Sequence, residues 1–442
     1  MKINIITLGC SKNTVDSENL AGRLTAGGHR LFFDRTENDC DIVVVNTCGF
    51  INDAKEESVD TLLQQVRAKY YFNRRHLHDG RHRRLIAVGC LVQRYRDMLR
   101  AEMPEVDEWY GVSEWDTIIA SIGSSSETAD TRVASQPRPL STPSHYAYLK
   151  IAEGCNRSCA YCAIPLIRGA YISRPIDEVV AEARQLVEHG VQELLVIAQD
   201  TTYYGIDLYG RRRLGELLRR LAEESGARWI RLNYTYPADF PTDVIDVMRN
   251  HDNICRYIDI PLQHINSRLL RSMRRGIDRE ATLALIRRLR EQLPGVCLRT
   301  TLIVGYPGET EADFEELKAF VREARFERMG CFAYSPEEGT PAEPLGDPVP
   351  DEEKQRRVDE LMALQDTLSQ QYNEQLVGQT LTVLIDRKEG HYFVARTEYD
   401  SPEIDNEVLI DSRQASSTLR PGQFCQVRVT HVLEHDLFAR PV

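Results

Sequence analysis

Three cysteines fall within eight residues, at Cys155, Cys159 and Cys162, directly after the apolar run of residues 147–152. A four-iron cluster takes four thiolates, so a compact loop offering three leaves one iron with an open position. That vacancy separates a reactive metal site from a closed structural one. Zinc is the alternative occupant, but structural zinc takes four ligands, usually as two close pairs, and no second pair or His-x-x-x-His lies nearby. Three further cysteines, Cys10, Cys48 and Cys90, each follow closely on a short apolar run, at residues 3–8, 42–45 and 85–88. One buried cysteine is ordinary core filling. The matching placement of these three sets them apart from Cys40, Cys255, Cys297, Cys331 and Cys425, which read as structural.

The elements that must position these cysteines follow from the hydrophobic pattern. The first three runs alternate with helical stretches at residues 16–25 and 54–69, which predicts an open parallel α/β sheet covered on both faces. In such a sheet the carboxyl ends of the strands share one edge, so cysteines far apart in sequence can converge there. Residues 121–144 turn to Ser, Thr and Pro without periodicity and read as a linker between a first domain, 1–120, and a second, 145–370. The second domain has strand candidates at residues 146–152, 193–198, 229–234, 257–260, 298–304 and 329–334, and six βα units predict an incomplete (β/α)6 barrel. Chemistry on such barrels sits on the loops after the strands, and the three-cysteine loop follows the first strand. A helix over 310–325 opens with Thr310 three residues before Asp313, a capping-box-like start. A helix over 351–376 carries Val358, Leu361, Leu364 and Leu368 as one apolar stripe. Residues 374–442 hold short alternating strands at 380–385, 392–396, 407–410 and 426–432, and read as a small antiparallel, OB-like β barrel.

Composition narrows the class. At 442 residues the chain exceeds one ordinary core, and its 55 basic against 67 acidic residues give a net charge of −12. That balance argues against a generic nucleic-acid binder and leaves room for a basic protein partner. No run of 18 apolar residues occurs, and the first strand lacks the flanks of a secretory signal, so the reading is cytoplasmic with no membrane partner. In a reducing compartment the odd total of 11 cysteines suits metal ligands better than a disulfide framework. The absence of a G-x-x-x-x-G-K-[ST] loop disfavours a phosphate-driven engine.

The run Cys155-Asn156-Arg157-Ser158-Cys159-Ala160-Tyr161-Cys162 resembles the C-x-x-x-C-x-x-C loop of the radical S-adenosylmethionine superfamily, whose free iron is chelated by the amino and carboxylate groups of that cofactor. Tyr161 fits the aromatic that members set against the cofactor, or it packs the loop. Leu8-Gly9-Cys10-Ser11-Lys12-Asn13, Val15-Asp16-Ser17-Glu18, Asn46-Thr47-Cys48 and Val88-Gly89-Cys90 resemble the amino-terminal domain of methylthiotransferases, and the likeness runs across the whole chain. The resemblance implies a second [4Fe–4S] cluster on Cys10, Cys48 and Cys90, a radical barrel, and a terminal TRAM barrel, here 374–442, that binds the macromolecular substrate. One branch of the family modifies a transfer-RNA adenosine. The other modifies an aspartate of the twelfth protein of the small ribosomal subunit. Ile151-Ala152-Glu153-Gly154 before Cys155 and Ala163-Ile164-Pro165-Leu166-Ile167-Arg168-Gly169 after the loop look like the ribosomal-protein branch, as does Ser11-Lys12-Asn13 where the transfer-RNA enzyme typically shows Gln-Met-Asn. Seven basic against eleven acidic residues in the terminal barrel also suit a basic ribosomal protein better than phosphates.

The implied chemistry acts on an unactivated C–H bond, where paired carboxylates or a triad would not help. An electron donor feeds the radical cluster, S-adenosylmethionine serves as radical source and as methyl donor, and a sulfur source supplies the inserted atom. No side chain is assigned as catalytic in its own right. Cofactor contacts are expected from Tyr161, from Gln199 and Asp200 after the second barrel strand, and from Asn233, Gln263, Val304 and Gly305 at the ends of later strands. Ordinary loop hydrogen bonding is the alternative for those strand-end residues. Arg174 suits the cofactor carboxylate or a nearby acidic side chain. The basic run of residues 74–84, with Arg74, Arg75, Arg81, Arg83 and Arg84, reads as a solvated face, a contact with ribosomal RNA being left open. A different class, a non-catalytic metal-stabilised module that binds the ribosome, would hold zinc and cleave no cofactor.

Overall fold

The computed structural model describes residues 1–35, 39–123, 138–414 and 419–442, and its Cα packing divides the chain into two compact units. The core of the expected linker, residues 124–137, lies outside the described residues.

The first unit is Met1–Thr142 with Glu153–Asn156 and Ala163–Ala170. Its strands β1 (Lys2–Thr7), β2 (Arg30–Phe33), β3 (Ile42–Thr47), β4 (Arg84–Gly89) and β5 (Glu108–Tyr110) form one sheet in the order β2-β1-β3-β4-β5. Every neighbouring pair is parallel. Strand β3 is apolar throughout Ile42–Val45 because both its faces are covered. Ile42 and Val44 pack with Leu20 and Leu24 of α1 (Ser11–Ala26) and Ile118 of α4 (Trp115–Ile122). Val43 and Val45 pack with Leu62 of α2 (Asn52–Arg75) and Leu91 and Leu99 of α3 (Cys90–Glu102). Strands β2 and β5 were not anticipated; they are the two sheet edges, four and three residues long, too short for a period to show. Helix α4 also carries regular structure into the first residues of the expected linker.

The second unit is Pro143–Ala152, Arg157–Cys162 and Tyr171–Val442. Strand β6 (Tyr146–Lys150) opens it, and the two-residue strands β7 (Ala152–Glu153) and β8 (Ile172–Ser173) flank the cysteine loop in sequence. With β9 (Glu193–Ile197), β10 (Trp229–Leu232), β11 (Ile254–Asp259), β12 (Cys297–Val304) and β13 (Arg328–Ala333), β6 builds a six-stranded sheet in chain order. Each neighbouring pair is parallel, as six βα units require. Thr310 caps the helix Glu311–Ala324 in a full capping box with Asp313. On the helix Asp351–Gln375 the buried face is only partly the expected stripe: Leu361 and Leu368 are buried, but so are Lys354, Arg357 and Gln365. Carboxylates compensate the two cations, Asp347 for Lys354 and Glu309 for Arg357.

Strands β14 (Thr380–Glu389), β15 (Tyr392–Thr397), β16 (Val408–Asp411), β17 (Phe424–Leu433) and β18 (Asp436–Pro441) close a barrel in the order β14-β15-β16-β18-β17. The pairing is antiparallel, as expected of a small OB-like barrel, at every seam but one, where β16 and β18 run parallel. An odd number of strands cannot alternate direction all the way around a ring, so a five-stranded closure contains a parallel pair. The segment after β15 packs on one face of the six-stranded sheet through charge and hydrogen bonds. Arg231 Nη1 donates to Glu398 O at 2.7 Å, Arg328 pairs with Asp400 at 2.6 Å, Tyr257 donates to Asp405 at 2.7 Å, and Tyr146 donates to Glu403 at 2.9 Å. Arg328 and Asp400 are both buried, so losing either member of that pair strands a charge.

Candidate functional site

Cys10, Cys48 and Cys90 follow β1, β3 and β4, three adjacent parallel strands, and therefore sit along one edge of the first sheet. Cys10 is the N-cap of α1 and Cys90 the first residue of α3, so two of the thiols stand at helix N-termini, where a thiolate is favoured. Gly9 makes the turn possible. Its φ is +88°, and a Cβ there would come within 2.6 Å of Cys48 Sγ. Asn13, one turn into α1, donates from Nδ2 to Leu8 O at 2.8 Å and to Thr47 O at 3.2 Å, tying the ends of β1 and β3 together.

The segment after the radical-type loop also reaches this edge. Arg168, at the end of α5 (Ile164–Arg168), is almost wholly buried and donates to Cys90 Sγ at 3.3 Å, to Asp16 Oδ2 at 2.6 Å, and to Asn13 Oδ1. Burial works against its charge, but Asp16 and Cys90 hold it firmly protonated. Burial pushes the Cys48 thiol up to about 12 and raises that of Cys90 against the pull of Arg168. Such thiols become ligands when a cation of iron's charge displaces their protons. Among the described residues no three His, Cys, Asp or Glu side chains close on a point suited to one metal ion. A four-iron cluster asks less, since each thiolate binds a different iron.

Cys155 belongs to the first unit, where its amide donates to Gly169 O at 3.1 Å. Beside it Gly154 has a φ of +76° and lies so close to Ala170 O that a Cβ would sit 2.1 Å away. Cys159 and Cys162 belong to the second unit and are joined by a Cys162 N to Cys159 O hydrogen bond of 3.2 Å. Ala160 between them donates to Met273 O and accepts from Ala342 N, which pins the loop to two later segments. Cys159 Sγ lies 3.3 Å from Arg275 Nη1 and 3.6 Å from the Tyr236 hydroxyl.

The expected cofactor contacts all fall in the second unit. Tyr161 packs against Leu269, Met273 and Tyr306, and its hydroxyl accepts from Arg275 at 3.2 Å; burial holds that phenol well above its usual range. Asp200 is buried and engaged: Oδ2 accepts from Arg157 Nε at 2.7 Å and Oδ1 from the Thr202 amide at 2.9 Å. Its first job is to hold Arg157, a residue of the cysteine loop. Arg174 meets Glu182 at 2.6 Å and Lys150 O at 2.8 Å, the acidic neighbour that the sequence left open. Gln199 is half-buried after β9. Asn233 and Gln263 are buried just past β10 and β11, and Asn233 Oδ1 and Gln263 Oε1 have no hydrogen-bond partner among the described residues. A buried acceptor without a donor is costly, and a cofactor bearing an ammonium and ribose hydroxyls would satisfy both, so the residues fit that group. Val304 is buried, and Gly305 opens the next turn at a φ of +74°.

Sequence reasoning missed Arg168, Arg275, Asn13 and Tyr236 as site residues. Arg157 was visible inside the loop, whereas Arg275 stands in an arginine-rich stretch with nothing local to mark it. Three arginines of the basic run are spent inside the first unit: Arg81 on Asp39 and Asp41, Arg83 on Cys40 O, and Arg84 on Glu108. Of the five, Arg74 and Arg75 are exposed, in the last turn of α2.

Family models match three stretches: residues 2–111 a model described as "Uncharacterized protein family UPF0004", 149–321 the radical SAM superfamily, and 377–442 the TRAM domain. The chain is 49% identical over 440 residues to the ribosomal protein uS12 methylthiotransferase RimO of Phocaeicola vulgatus, covering 99% of this chain and 98% of that protein. The Porphyromonas gingivalis protein of the same name is 50% identical, covering 100% and 99%. Among solved structures, the radical S-adenosylmethionine methyltransferase TsrM from Kitasatospora setae, with cobalamin and a [4Fe-4S] cluster bound, superposes with a TM-score of 0.52 at 14% identity, covering 77% of each chain. The cobalamin-dependent S-adenosylmethionine radical enzyme OxsB gives 0.51 at 10% identity, covering 83% of this chain and 56% of that one. At such identities the likeness speaks to the fold.

Proposed function

This chain belongs to the RimO family of radical S-adenosylmethionine methylthiotransferases, and we propose on that premise that it places a methylthio group on the β carbon of an aspartate of ribosomal protein uS12. The chain is a transferase of the radical type, with a [4Fe–4S] cluster and S-adenosylmethionine as its family's cofactors. We assign that cluster to Cys155, Cys159 and Cys162, and a second to Cys10, Cys48 and Cys90. When bound, these groups and S-adenosylmethionine supply a hydrogen-abstracting radical, a sulfur atom and a methyl group. The observation that carries the reading is the double triplet: one loop with radical-type spacing, and one sheet edge that gathers three cysteines from three strands.

The chain's own residues position and exclude. Asp200 and Tyr236 hold Arg157, and Met273 and Ala342 hold Ala160, so the loop enters the reaction fixed. Asn233 and Gln263 offer acceptors to the cofactor, with Tyr161, Gln199, Val304 and Gly305 as further lining and Arg174 as a candidate for its carboxylate. The parts 1–120, 145–370 and 374–442 would serve sulfur insertion, radical formation and substrate binding, joined by 121–144. An external electron donor, a sulfur source and a cytoplasmic setting complete the proposal. Among the described residues no helix is long and apolar enough to cross a membrane. The test is anaerobic incubation of the reduced, reconstituted chain with S-adenosylmethionine, sulfide and either uS12 or a transfer-RNA stem-loop. Mass spectrometry should find the methylthio group on the uS12 aspartate. Modification of the RNA alone would overturn the assignment.

A further inference from the structure

Among the arginines buried in the second unit, Arg275 stands out for its partners. Arg231, Arg328 and Arg396 each pair with a carboxylate, Glu193, Asp400 and Asp386 respectively. Arg275 is 3% exposed and makes no salt bridge to any described carboxylate. Its Nη1 donates to Cys159 Sγ at 3.3 Å and to the Tyr161 hydroxyl at 3.2 Å, its Nη2 donates to Pro261 O, and its guanidinium lies 4.1 Å from the centroid of the Tyr236 ring. The Tyr236 hydroxyl donates to Arg275 O at 2.8 Å, and Met273 O accepts from Ala160 N, so the turn that carries Arg275 also grips the cysteine loop. A guanidinium buried without a counter-anion costs several kcal/mol. Of the atoms it meets, Pro261 O, the Tyr161 hydroxyl and Cys159 Sγ, only the sulfur becomes a full anion on ligating iron.

We propose that Arg275 is a positioning residue whose fixed positive charge against Cys159 raises the reduction potential of the radical cluster. This rests on the reading that Cys155, Cys159 and Cys162 hold that cluster. Reduction passes one electron from a low-potential one-electron carrier to the cluster, with no bond made or broken, and leaves it one negative charge richer. A cation in a dry pocket stabilises the richer state more than the poorer one, and hydrogen bonds to cluster sulfurs act in the same direction. Arg157, by contrast, spends its charge on Asp200.

The test compares the full-length wild type with R275Q and R275K after anaerobic reconstitution. Iron content is measured first. An EPR-monitored redox titration then follows the signal that changes when S-adenosylmethionine is added, which singles out the radical cluster. R275Q should retain its iron and titrate at a more negative potential: at the wild-type midpoint its reduced-to-oxidised ratio should fall about tenfold, or ~59 mV for one electron. R275K keeps the charge but loses the fork, and its ratio should fall about threefold. An unmoved midpoint in R275Q, or in R275K should R275Q fail to fold, overturns the proposal, as does loss of iron with an unmoved potential in the remaining cluster. A wild type that lacks the cofactor-sensitive signal would instead remove the underlying cluster reading, and the proposal with it.

Discussion

The two cysteine triplets reach comparable composition by opposite routes. Cys155, Cys159 and Cys162 lie within one loop, so their proximity is a property of covalent spacing, and the fold has only to hold the loop still. Cys10, Cys48 and Cys90 span 81 residues and share one sheet edge only because β1, β3 and β4 are parallel neighbours. The first triplet is a local motif and the second a product of topology. Each has a buried arginine against one of its sulfurs, but Arg168 at Cys90 is neutralised by Asp16, whereas Arg275 at Cys159 meets no carboxylate among the described residues. The Cys155–Cys162 loop keeps a positive charge that no described carboxylate answers. The sheet-edge site does not.

The largest effect that could break this comparison is functional. Replacing Cys155, Cys159 or Cys162 by Ala should lower formation of deoxyadenosine from S-adenosylmethionine by at least about a thousandfold, measured by chromatography of anaerobic reactions. Replacing Cys10, Cys48 or Cys90 should leave that cleavage within about threefold of wild type while abolishing methylthiolation of uS12. Equal loss of cleavage from both sets would erase the division of labour.

Next comes packing at the sheet edge. G9A forces a Cβ into the Cys48 side chain at a left-handed φ, so the reconstituted protein should lose about half its iron while still cleaving the cofactor. G210A, also at positive φ (+70°) but with open space around it, should keep full iron and cost about 1 kcal/mol. Similar iron in both variants would show that the Gly9 contact does not shape the site.

R168L removes the buried cation that pairs with Asp16 and should destabilise the first unit by about 3 kcal/mol, read as a lower chemical-denaturation midpoint from hydrogen exchange in β3 and β4. R168L/D16N should recover part of that loss. No recovery would mean that the pair does not carry the stability.

The smallest expected effect concerns acid. Burial lowers the pKa of His264 in the second unit from 6.5 to about 3. A base buried in its neutral form contributes stability that is fully present above 6.5 and lost as pH falls towards 3. H264N keeps an acceptor for the Asn266 amide, which donates to His264 Nδ1 at 3.0 Å, and removes the titration. Between pH 7 and pH 5 the thermal midpoint of the second unit should therefore fall less in H264N than in wild type. Equal falls would contradict the assignment.

What the sequence disclosed follows the same local-versus-topological line. The six parallel strands of the second unit were legible because each is an apolar run closed by a turn, and the Thr310 cap was legible because its partner is three residues away. Strands β2 and β5 were not, since an edge strand of four or three residues has no period to read. The parallel pairing of β16 and β18 comes from closing a ring, which no single strand records. Arg275 lies 116 residues from Cys159 and Arg168 lies 78 from Cys90, and nothing around either arginine marks the thiol it will meet. The exposed-face reading of the basic run failed for Arg83 for the same reason: it is buried on Cys40 O, a partner far away in sequence.

The most direct test of two triplets with two clusters is an iron and acid-labile sulfide count on the anaerobically reconstituted chain, taken beside the same count on C10A/C48A/C90A. The account predicts about eight irons in the wild type and about four in the variant, with four irons to each cluster. About four irons in both proteins would contradict it.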